Sequence, residues 1–209
     1  MRDVEGPGTK QKIFDEAVRM FSENGYKHVS VRDLARATGI QAASIYNHYP
    51  SKSKILEELY NYFYEVEDGT RPSLDVLLEM VETRPPADIL NMINGHYSGF
   101  DEKMLRIAAI ATDASRTDES SCAFVRRIFF DLPRHYIDAV LDKMIKSKRI
   151  EPFDYKAFRS LYAGMCFNAT KRCATNFPID PKEGAAAWKL LMTLIKPITV
   201  EQKGEDGKA

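Results

Sequence analysis

The sequence predicts an all-α protein in which a small N-terminal bundle of three helices precedes a larger helical domain. Apolar residues recur at helical spacing from about Lys10 to Lys196, and no segment shows the strong alternation that is typical of a half-buried strand. Glycine and proline fall between the periodic segments, where they are expected to end or begin helices. With 209 residues, 44% of them hydrophobic, the chain is long enough to bury a sizeable core.

The first helix is predicted from about Lys10 to Asn24, and the signals for the second are strong. Ser30 is placed to cap the second helix, with Asp33 three residues later as the reciprocal partner of a capping box. Gly39 then suits the left-handed backbone conformation in which many helices end. We therefore expect a short helix between Ser30 and Gly39.

A third helix follows at once, over Gln41 to Tyr49. It is too short to be stable without packing against its neighbours. A helix, a short turn that contains glycine, and a second short helix form the helix-turn-helix arrangement found in DNA-binding domains.

The remaining helices follow from apolar periodicity and from proline positions. Gly69 to Pro72 is expected to end the fourth helix, Pro133 to kink or split a long one, and Pro181 to open the last within a capping box that starts at Asp180. The predicted helices span residues 51–66, 74–83, 87–99, 103–114, 118–148, 154–177 and 181–196. We divide the chain into a disordered N-terminus (1–8), a helix-turn-helix domain (9–50), an effector-binding and dimerisation domain (51–198) and a disordered tail (199–209).

Residues 10–56 resemble the DNA-binding domain of TetR-family transcriptional regulators. The matching residues are Gly25, the run Ser30-Val31-Arg32-Asp33-Leu34-Ala35, the pair Gly39-Ile40, the run Ile45-Tyr46-Asn47-His48-Tyr49, and Ser51-Lys52 followed by Ile55-Leu56. The sequence departs from the family pattern at Gln41, where Ser is usual, at Ala42, where Lys is frequent, and in the fourth helix, which lacks the common acidic residue. These departures concern the DNA sequence that is preferred rather than the fold.

The third helix is expected to lie in the major groove of double-stranded DNA, with its N-terminal residues at the base edges. Gln41 suits an adenine edge, Ala42 and Ala43 suit thymine methyl groups, and Ser44 is a versatile donor or acceptor. The resemblance implies that Tyr46 and His48 contact phosphates, whereas Ile45 and Tyr49 pack inward. The full set of predicted DNA-binding residues is Thr9, Lys10, Ser30, Arg32, Gln41, Ala42, Ala43, Ser44, Tyr46, Asn47, His48 and Lys52, the last because it stands at a helix N-terminus that favours a phosphate.

Charge is distributed in agreement with this interpretation. The whole chain has a formal net charge of zero, but residues 1–55 contain nine basic and six acidic residues. A modestly positive N-terminal segment on an acidic remainder fits a protein that neutralises DNA phosphates.

A homodimer is expected because one short recognition helix reads too few base pairs for specificity. Two copies would bind the half-sites of an inverted-repeat operator, about one helical turn apart. The helices over about 154–177 and 181–196 are apolar on more than one face and therefore need covering from two sides. A buried central helix of a monomer explains this pattern too, and the resemblance favours the dimer, since TetR-family regulators dimerise through their last two long helices.

The middle helices are expected to form a pocket for an unknown small-molecule effector. Small-molecule sites are mostly apolar with a few polar groups, although the same stripes also occur in ordinary cores. The candidate lining residues are Met92, His96, Tyr97, Phe100, Phe124, Ile128, Met165 and Asn168.

No catalytic, metal or cofactor motif emerges from the sequence, so we expect neither enzyme activity nor a cofactor. Asp131, His135 and Asp138 have spacing that would allow a shared metal, but Pro133 interrupts them and an exposed charged face explains them better. Cys166 and Cys173 share a helix face about 10.5 Å apart, too far for a disulfide within the chain. They would pair only across a dimer axis, and small buried apolar positions explain them more simply.

The sequence contains no apolar run of membrane-spanning length, and its first residues lack the apolar core of a signal peptide. Three cysteines do not make a disulfide framework. These features predict a cytoplasmic protein without membrane contact. The expected function is therefore a ligand-responsive transcriptional regulator, most simply a repressor. The alternative is a co-regulator of the same fold that acts through a protein partner without reading DNA.

Overall fold

A computed structural model describes residues 8–174 and 180–198. Within these ranges the chain is built from helices, joined by short turns, and its one β-bridge pairs Ile150 with Pro197. The helices are α1 (Thr9–Asn24), a 3₁₀ turn (Tyr26–His28), α2 (Val31–Thr38), α3 (Ala42–His48), α4 (Lys52–Thr70), α5 (Leu74–Thr83), α6 (Pro86–Ser98), α7 (Glu102–Ala114), α8 (Glu119–Arg126), a π-helical turn (Arg127–Asp131), α9 (Leu132–Lys146), α10 (Tyr155–Ala174) and α11 (Pro181–Met192). The predicted all-α fold class is confirmed.

The chain packs into two compact units. The first contains the described parts of residues 1–69, 101–125 and 170–177, and the second those of residues 70–100, 126–169 and 178–209. The domain boundary expected at residues 50 and 51 stays a prediction.

In the first unit, α1 packs against both α2 and α7. Lys103 of α7 forms an ion pair with Asp15 of α1 at 3.0 Å, and Arg106 of α7 donates to the hydroxyl of Ser22 at 2.9 Å. Apolar side chains from α1 to α4, α7 and α8 form the core between them: Ile13, Val18, Phe21, Leu34, Ile45, Ile55, Leu56, Leu59, Phe63, Ile107, Ile110 and Phe124.

The second unit has its own core, to which α5, α6, α9, α10 and α11 contribute. Its fully buried large side chains include Leu77, Phe158 and Tyr162. The segment after α11 returns to the loop before α10, where the Glu151 amide donates to the Lys196 carbonyl and the Ile198 amide donates to the Arg149 carbonyl. The sequence predicts that the last helix ends near Lys196, but α11 ends at Met192. The pairing explains the difference, because the residues after the helix are bonded to a segment that is distant in sequence.

The end of α4 also differs from the prediction. The helix continues through Gly69 to Thr70 instead of ending near Val66. A glycine inside a helix costs only about 1 kcal/mol relative to alanine. Pro72 sets the boundary more firmly, because a proline disfavours helical backbone in the residue before it.

Pro133 divides the long predicted helix of residues 118–148 by way of a π-helical turn. The amide of Leu132 donates to the carbonyl of Arg127, five residues earlier, and α9 begins with Pro133 in its first turn. Proline has no amide hydrogen to donate and fits a helix best in the first turn. The prediction that Pro133 interrupts this helix is therefore confirmed.

Within the described part of the chain, no helix is both long and apolar enough to cross a membrane. The disorder predicted for residues 1–7 and 199–209 lies outside the described residues, as does the predicted end of α10 beyond Ala174.

Candidate DNA-binding site

The turn between α2 and α3 is built from two local features that the sequence predicts. At the start of α2, the Ser30 hydroxyl accepts from the Asp33 amide at 3.2 Å, and the Asp33 carboxylate accepts from the Ser30 amide at 2.9 Å. At its end, Gly39 has φ 73° and ψ 24°, and the Ile40 amide donates to the Ala35 carbonyl at 3.0 Å. The left-handed glycine redirects the chain into α3 at no steric cost.

α3 has one buried side and one exposed side. Ile45 is fully buried, and Tyr49, directly after the helix, is 3% exposed. Both pack into the core of the first unit, as predicted. Tyr46, between them, is 53% exposed although it is a large aromatic residue. A short helix held by so few buried side chains presents the remaining ones outward.

The exposed side of α3 carries most of the predicted DNA-reading residues. Gln41, Ala43, Asn47 and His48 are exposed. Ala42 and Ser44 are partly buried. The side chains of Gln41, Asn47 and His48 make no hydrogen bond to the described residues, so their donors and acceptors are available to an external partner.

Some of the predicted flanking residues are already bonded within the protein, whereas others are exposed and unpaired among the described residues. Thr9 and Arg32 are exposed, and Arg32 forms no ion pair within the described ranges. Lys10 forms an ion pair with Glu58 at 2.5 Å. The Ser30 hydroxyl is occupied by the capping box. Arg32 is therefore the flanking residue best placed to meet a phosphate.

Lys52 has a role inside the domain. Its ammonium group donates to the carbonyls of Tyr26 and Val29, at 2.6 and 2.8 Å, and lies 4.1 Å from the ring centre of Tyr26. Burial lowers the pKa of Lys52, since desolvation penalises its charged form. These bonds tie the start of α4 to the segment that leads into α2. A contact of Lys52 with DNA stays a prediction.

Two side chains of this domain have pKa values that their surroundings shift. The hydrogen bonds that Ser30 donates to Asp33 hold the pKa of this carboxyl below its usual value. Burial raises the pKa of Tyr49 to about 12, so that its phenol stays neutral at physiological pH. Tyr49 therefore adds no charge to this domain, whereas Arg32 places a positive charge on its exposed surface.

Two further exposed lysines are absent from the predicted set of DNA-binding residues. Lys12 in α1 and Lys27 in the 3₁₀ turn are exposed and form no ion pair with another described residue. The excess of basic over acidic residues in positions 1–55 is the sequence feature that could have identified these two lysines. Such cations add to the attraction of a domain for a polyanion.

The candidate effector residues are divided between the two units. His96, Tyr97 and Phe100 make edge-to-face ring contacts with one another, with centroids 4.9 to 5.9 Å apart. Phe124 belongs to the core of the first unit, where its ring contacts Tyr60. Of the others, Met92 is 39% exposed, Asn168 is exposed, Ile128 is 3% exposed and Met165 packs against the core of the second unit. Their role in effector binding stays a prediction.

The possible metal ligands noted in the sequence are engaged otherwise. Asp131 forms an ion pair with Arg126 at 3.4 Å, and Asp138 forms one with Arg159. No group of three potential ligands is assembled by the residues that the structure describes. Burial raises the pKa of the Cys166 thiol to about 11; the side chain of Cys173 lies outside the described set.

Together, the fold and the site define a helix-turn-helix domain at the start of an all-helical chain. The profile of the family described as bacterial regulatory proteins, tetR family, matches residues 13–59. This range contains most of α1, all of α2 and α3, and the beginning of α4. Residues 13–59 are thus similar to the N-terminal domain of TetR-family regulators, in agreement with the resemblance noted in the sequence.

Curated relatives match over the same part of the chain. The biofilm operon icaADBC HTH-type negative transcriptional regulator IcaR of Staphylococcus epidermidis is 38% identical over 60 residues, which are 27% of this chain and 32% of that protein. IcaR of Staphylococcus aureus (strain Newman) is 43% identical over 49 residues, 23% of this chain and 26% of that protein. The chain thus matches about a third or less of the length of these relatives.

Solved structures extend the likeness to the whole fold. The ketosteroid transcriptional regulator KstR2 of Mycobacterium tuberculosis has a TM-score of 0.70 at 18% identity, over 92% of this chain and 97% of that one. PfmR, a TetR family transcriptional regulator from Thermus thermophilus, has a TM-score of 0.64 at 20% identity, over 87% and 97%. The described chain therefore has the fold of these regulators.

Proposed function

We propose that this protein is a sequence-specific transcriptional regulator, a homodimeric repressor that a small-molecule effector releases from an inverted-repeat operator. One observation carries the proposal: α3 buries Ile45 and presents Gln41, Ala43, Tyr46 and Asn47 to solvent. A helix-turn-helix protein reads DNA with such a surface.

In the proposed complex, α3 lies in the major groove. Gln41 and Asn47 have amide groups that match the donor and acceptor pattern of adenine, and Ala43 offers a methyl group to thymine. Tyr46 and His48 bind phosphates on either side, and Arg32 adds a charge-assisted contact to the backbone. The phosphate contacts fix the position of the helix, and the base contacts supply the specificity.

The second unit supplies apolar surface for the proposed dimer. Leu161 of α10 is 58% exposed, Leu190 of α11 is 71% exposed and Leu194 is 42% exposed. We take these exposed side chains, on α10, on α11 and directly after α11, as apolar surface that a second copy would cover. Pairing two copies through α10 and α11 gives two recognition helices for adjacent half-sites.

Repression and effector release are proposed from the relatives and from thermodynamics. The IcaR proteins are named as negative regulators. An effector releases a repressor only if it binds the DNA-incompetent state more tightly than the competent one. We place such a regulator in the cytoplasm, without membrane contact.

The test is selection of bound duplexes from a random DNA library by the purified protein at near-physiological salt. We expect enrichment of an inverted repeat with half-sites about one helical turn apart. Asn47→Ala should broaden the enriched sequence, whereas Asn61→Ala, the same change at an exposed position of α4, should leave it unchanged. A folded protein that enriches no sequence would refute direct reading of DNA and favour a co-regulator that acts through a protein partner.

A further inference from the structure

A cavity of about 380 Å³ opens in the second unit, between the π-helical turn with the start of α9 on one side and α10 on the other. Its lining residues are Phe129, Phe130, Arg134, Arg159, Ser160, Ala163, Gly164 and Phe167. None of them is among the effector residues expected from the sequence. The volume lies in the range of sites for small molecules.

Three phenylalanine side chains line this cavity, and a glycine of α10 leaves space beside them. Phe129 and Phe167 meet edge to face with their centroids 5.4 Å apart, and Phe130 is 57% exposed. At Gly164 an added Cβ atom would meet nothing within 4 Å, which shows that this position borders open space. Aromatic rings prefer edge-to-face and offset partners, so these walls suit a flat aromatic group.

The charge of the cavity is positive. Arg159 is neutralised by Asp138, to which its guanidinium donates, and no acidic side chain is among the described residues of the lining. Arg134 is exposed and has no ion-pair partner in the part of the chain that the structure describes. Its guanidinium is therefore available to a carboxylate, for which it offers paired donors.

The π-helical turn brings these groups together. π-Helical turns occur mostly as single turns within helices and often at functional sites. Here the turn contributes Phe129 and Phe130 to the cavity, and Arg134 follows in the first turn of α9. The sequence signal for it is Pro133, which has no amide hydrogen for the bond that an uninterrupted α-helix would make at this position.

We propose that this cavity binds an aromatic carboxylate, with the ring between Phe129, Phe130 and Phe167 and the carboxylate on Arg134. The proposal goes beyond the proposed function, since binding at this cavity does not depend on DNA.

The test uses the full chain, without DNA, and isothermal titration with 2-naphthoate. We expect saturable one-to-one binding, weakened about tenfold or more in Arg134→Gln because a charge-assisted pair is lost. Gly164→Leu should abolish binding by filling the cavity. 2-Naphthalenemethanol, which lacks the charge, should bind the wild type at least tenfold more weakly than the carboxylate.

Matched variants separate a lost site from a lost fold. Gly184→Leu changes an exposed helical glycine that also borders open space but lies outside the cavity, and Arg116→Gln removes an exposed charge in the first unit. Both should bind 2-naphthoate like the wild type. The proposal is overturned if 2-naphthoate does not bind, or if dodecanoate binds tighter than 2-naphthoate. It is also overturned if Gly164→Leu changes the oligomeric state in sedimentation, which would assign the groove to a second copy of the chain.

Discussion

The ammonium group of Lys52 donates to the backbone carbonyl of Tyr26 at 2.6 Å and lies 4.1 Å from the centre of the ring of the same residue. One side chain at the start of α4 thus holds the turn that precedes α2. The position of α3 depends on this arrangement, because α3 packs against α2.

Lys52→Met should therefore destabilise the protein. The variant keeps the apolar stem but leaves the carbonyls of Tyr26 and Val29 without their charged donor, at an expected cost of about 1 to 3 kcal/mol in the free energy of unfolding. Denaturation by urea measures this loss. Lys54→Met is the control, since Lys54 is exposed and, among the described residues, forms an ion pair only with Glu57. A surface pair of this kind contributes less than about 1 kcal/mol. Equal stability of the two variants would contradict the role given to Lys52.

Tyr46→Ala and Arg32→Ala should weaken DNA binding in different ways. Both residues are exposed, so neither change should affect folding by more than about 0.5 kcal/mol. Tyr46 is uncharged, and its loss should lower affinity about equally at all salt concentrations. Loss of Arg32 removes one phosphate contact and should reduce the slope of log affinity against log salt by about one.

Fluorescence anisotropy with a labelled duplex at several salt concentrations measures both effects. Arg116→Ala, an exposed arginine outside the helix-turn-helix, is the matched control for Arg32→Ala. An unchanged salt slope in Arg32→Ala would remove this residue from the interface. Unchanged affinity in Tyr46→Ala would remove the aromatic contact.

The capping box of α2 should make stability depend on pH. The pKa of Asp33 is lower in the folded state than the ordinary aspartate value of 3.8, because Ser30 donates to the carboxylate. A depressed pKa adds stability above the unfolded value, and this stability is lost as the pH falls through the folded value. Asp33→Asn should therefore lose part of the acid dependence of unfolding that the wild type shows between about pH 5 and pH 2.

Thermal unfolding of both proteins across this range checks the prediction. Asp75→Asn, at an exposed position in the first turn of α5, should keep the dependence of the wild type. Ser30→Ala removes the cap itself and should cost about 1 kcal/mol at neutral pH. If Asp33→Asn and the wild type lose stability in parallel on acidification, the capping box is not the source.

The cysteines should differ in their reactivity. Cys122 is exposed, whereas burial raises the pKa of Cys166 to about 11, so that its thiolate is scarce at neutral pH. In a Cys173→Ser background, iodoacetamide should modify Cys122 at least tenfold faster than Cys166, as followed by mass spectrometry of peptides. Fast modification of Cys166 would contradict the burial of its thiol.

The sequence predicts local structure best where one residue type satisfies one local need. Ser30 with Asp33 marks the start of α2, and Gly39 marks its end, because a reciprocal cap and a left-handed turn depend only on neighbouring residues. The exposed side of α3 follows as well, since a seven-residue helix with Ile45 buried has few other ways to pack.

The remaining features depend on contacts that are distant in sequence. The end of α11 is set by pairing with residues 149–151, and the internal role of Lys52 depends on a turn some 25 residues earlier. The cavity beside the π-helical turn forms only because α10 packs opposite the turn and the start of α9. Apolar periodicity predicts which face of a helix is buried, but it does not identify the helix against which that face packs.

The anchoring of α3 by Ile45 alone within the helix has an evolutionary consequence. Because Gln41, Ala43 and Asn47 support no packing inside the protein, selection is free to replace them without a penalty in folding. In the proposed function, the surface that reads DNA is thereby separated from the scaffold, so that a few substitutions there would change the operator while the rest of the domain stays intact. A protein built in this way diversifies its targets faster than its fold.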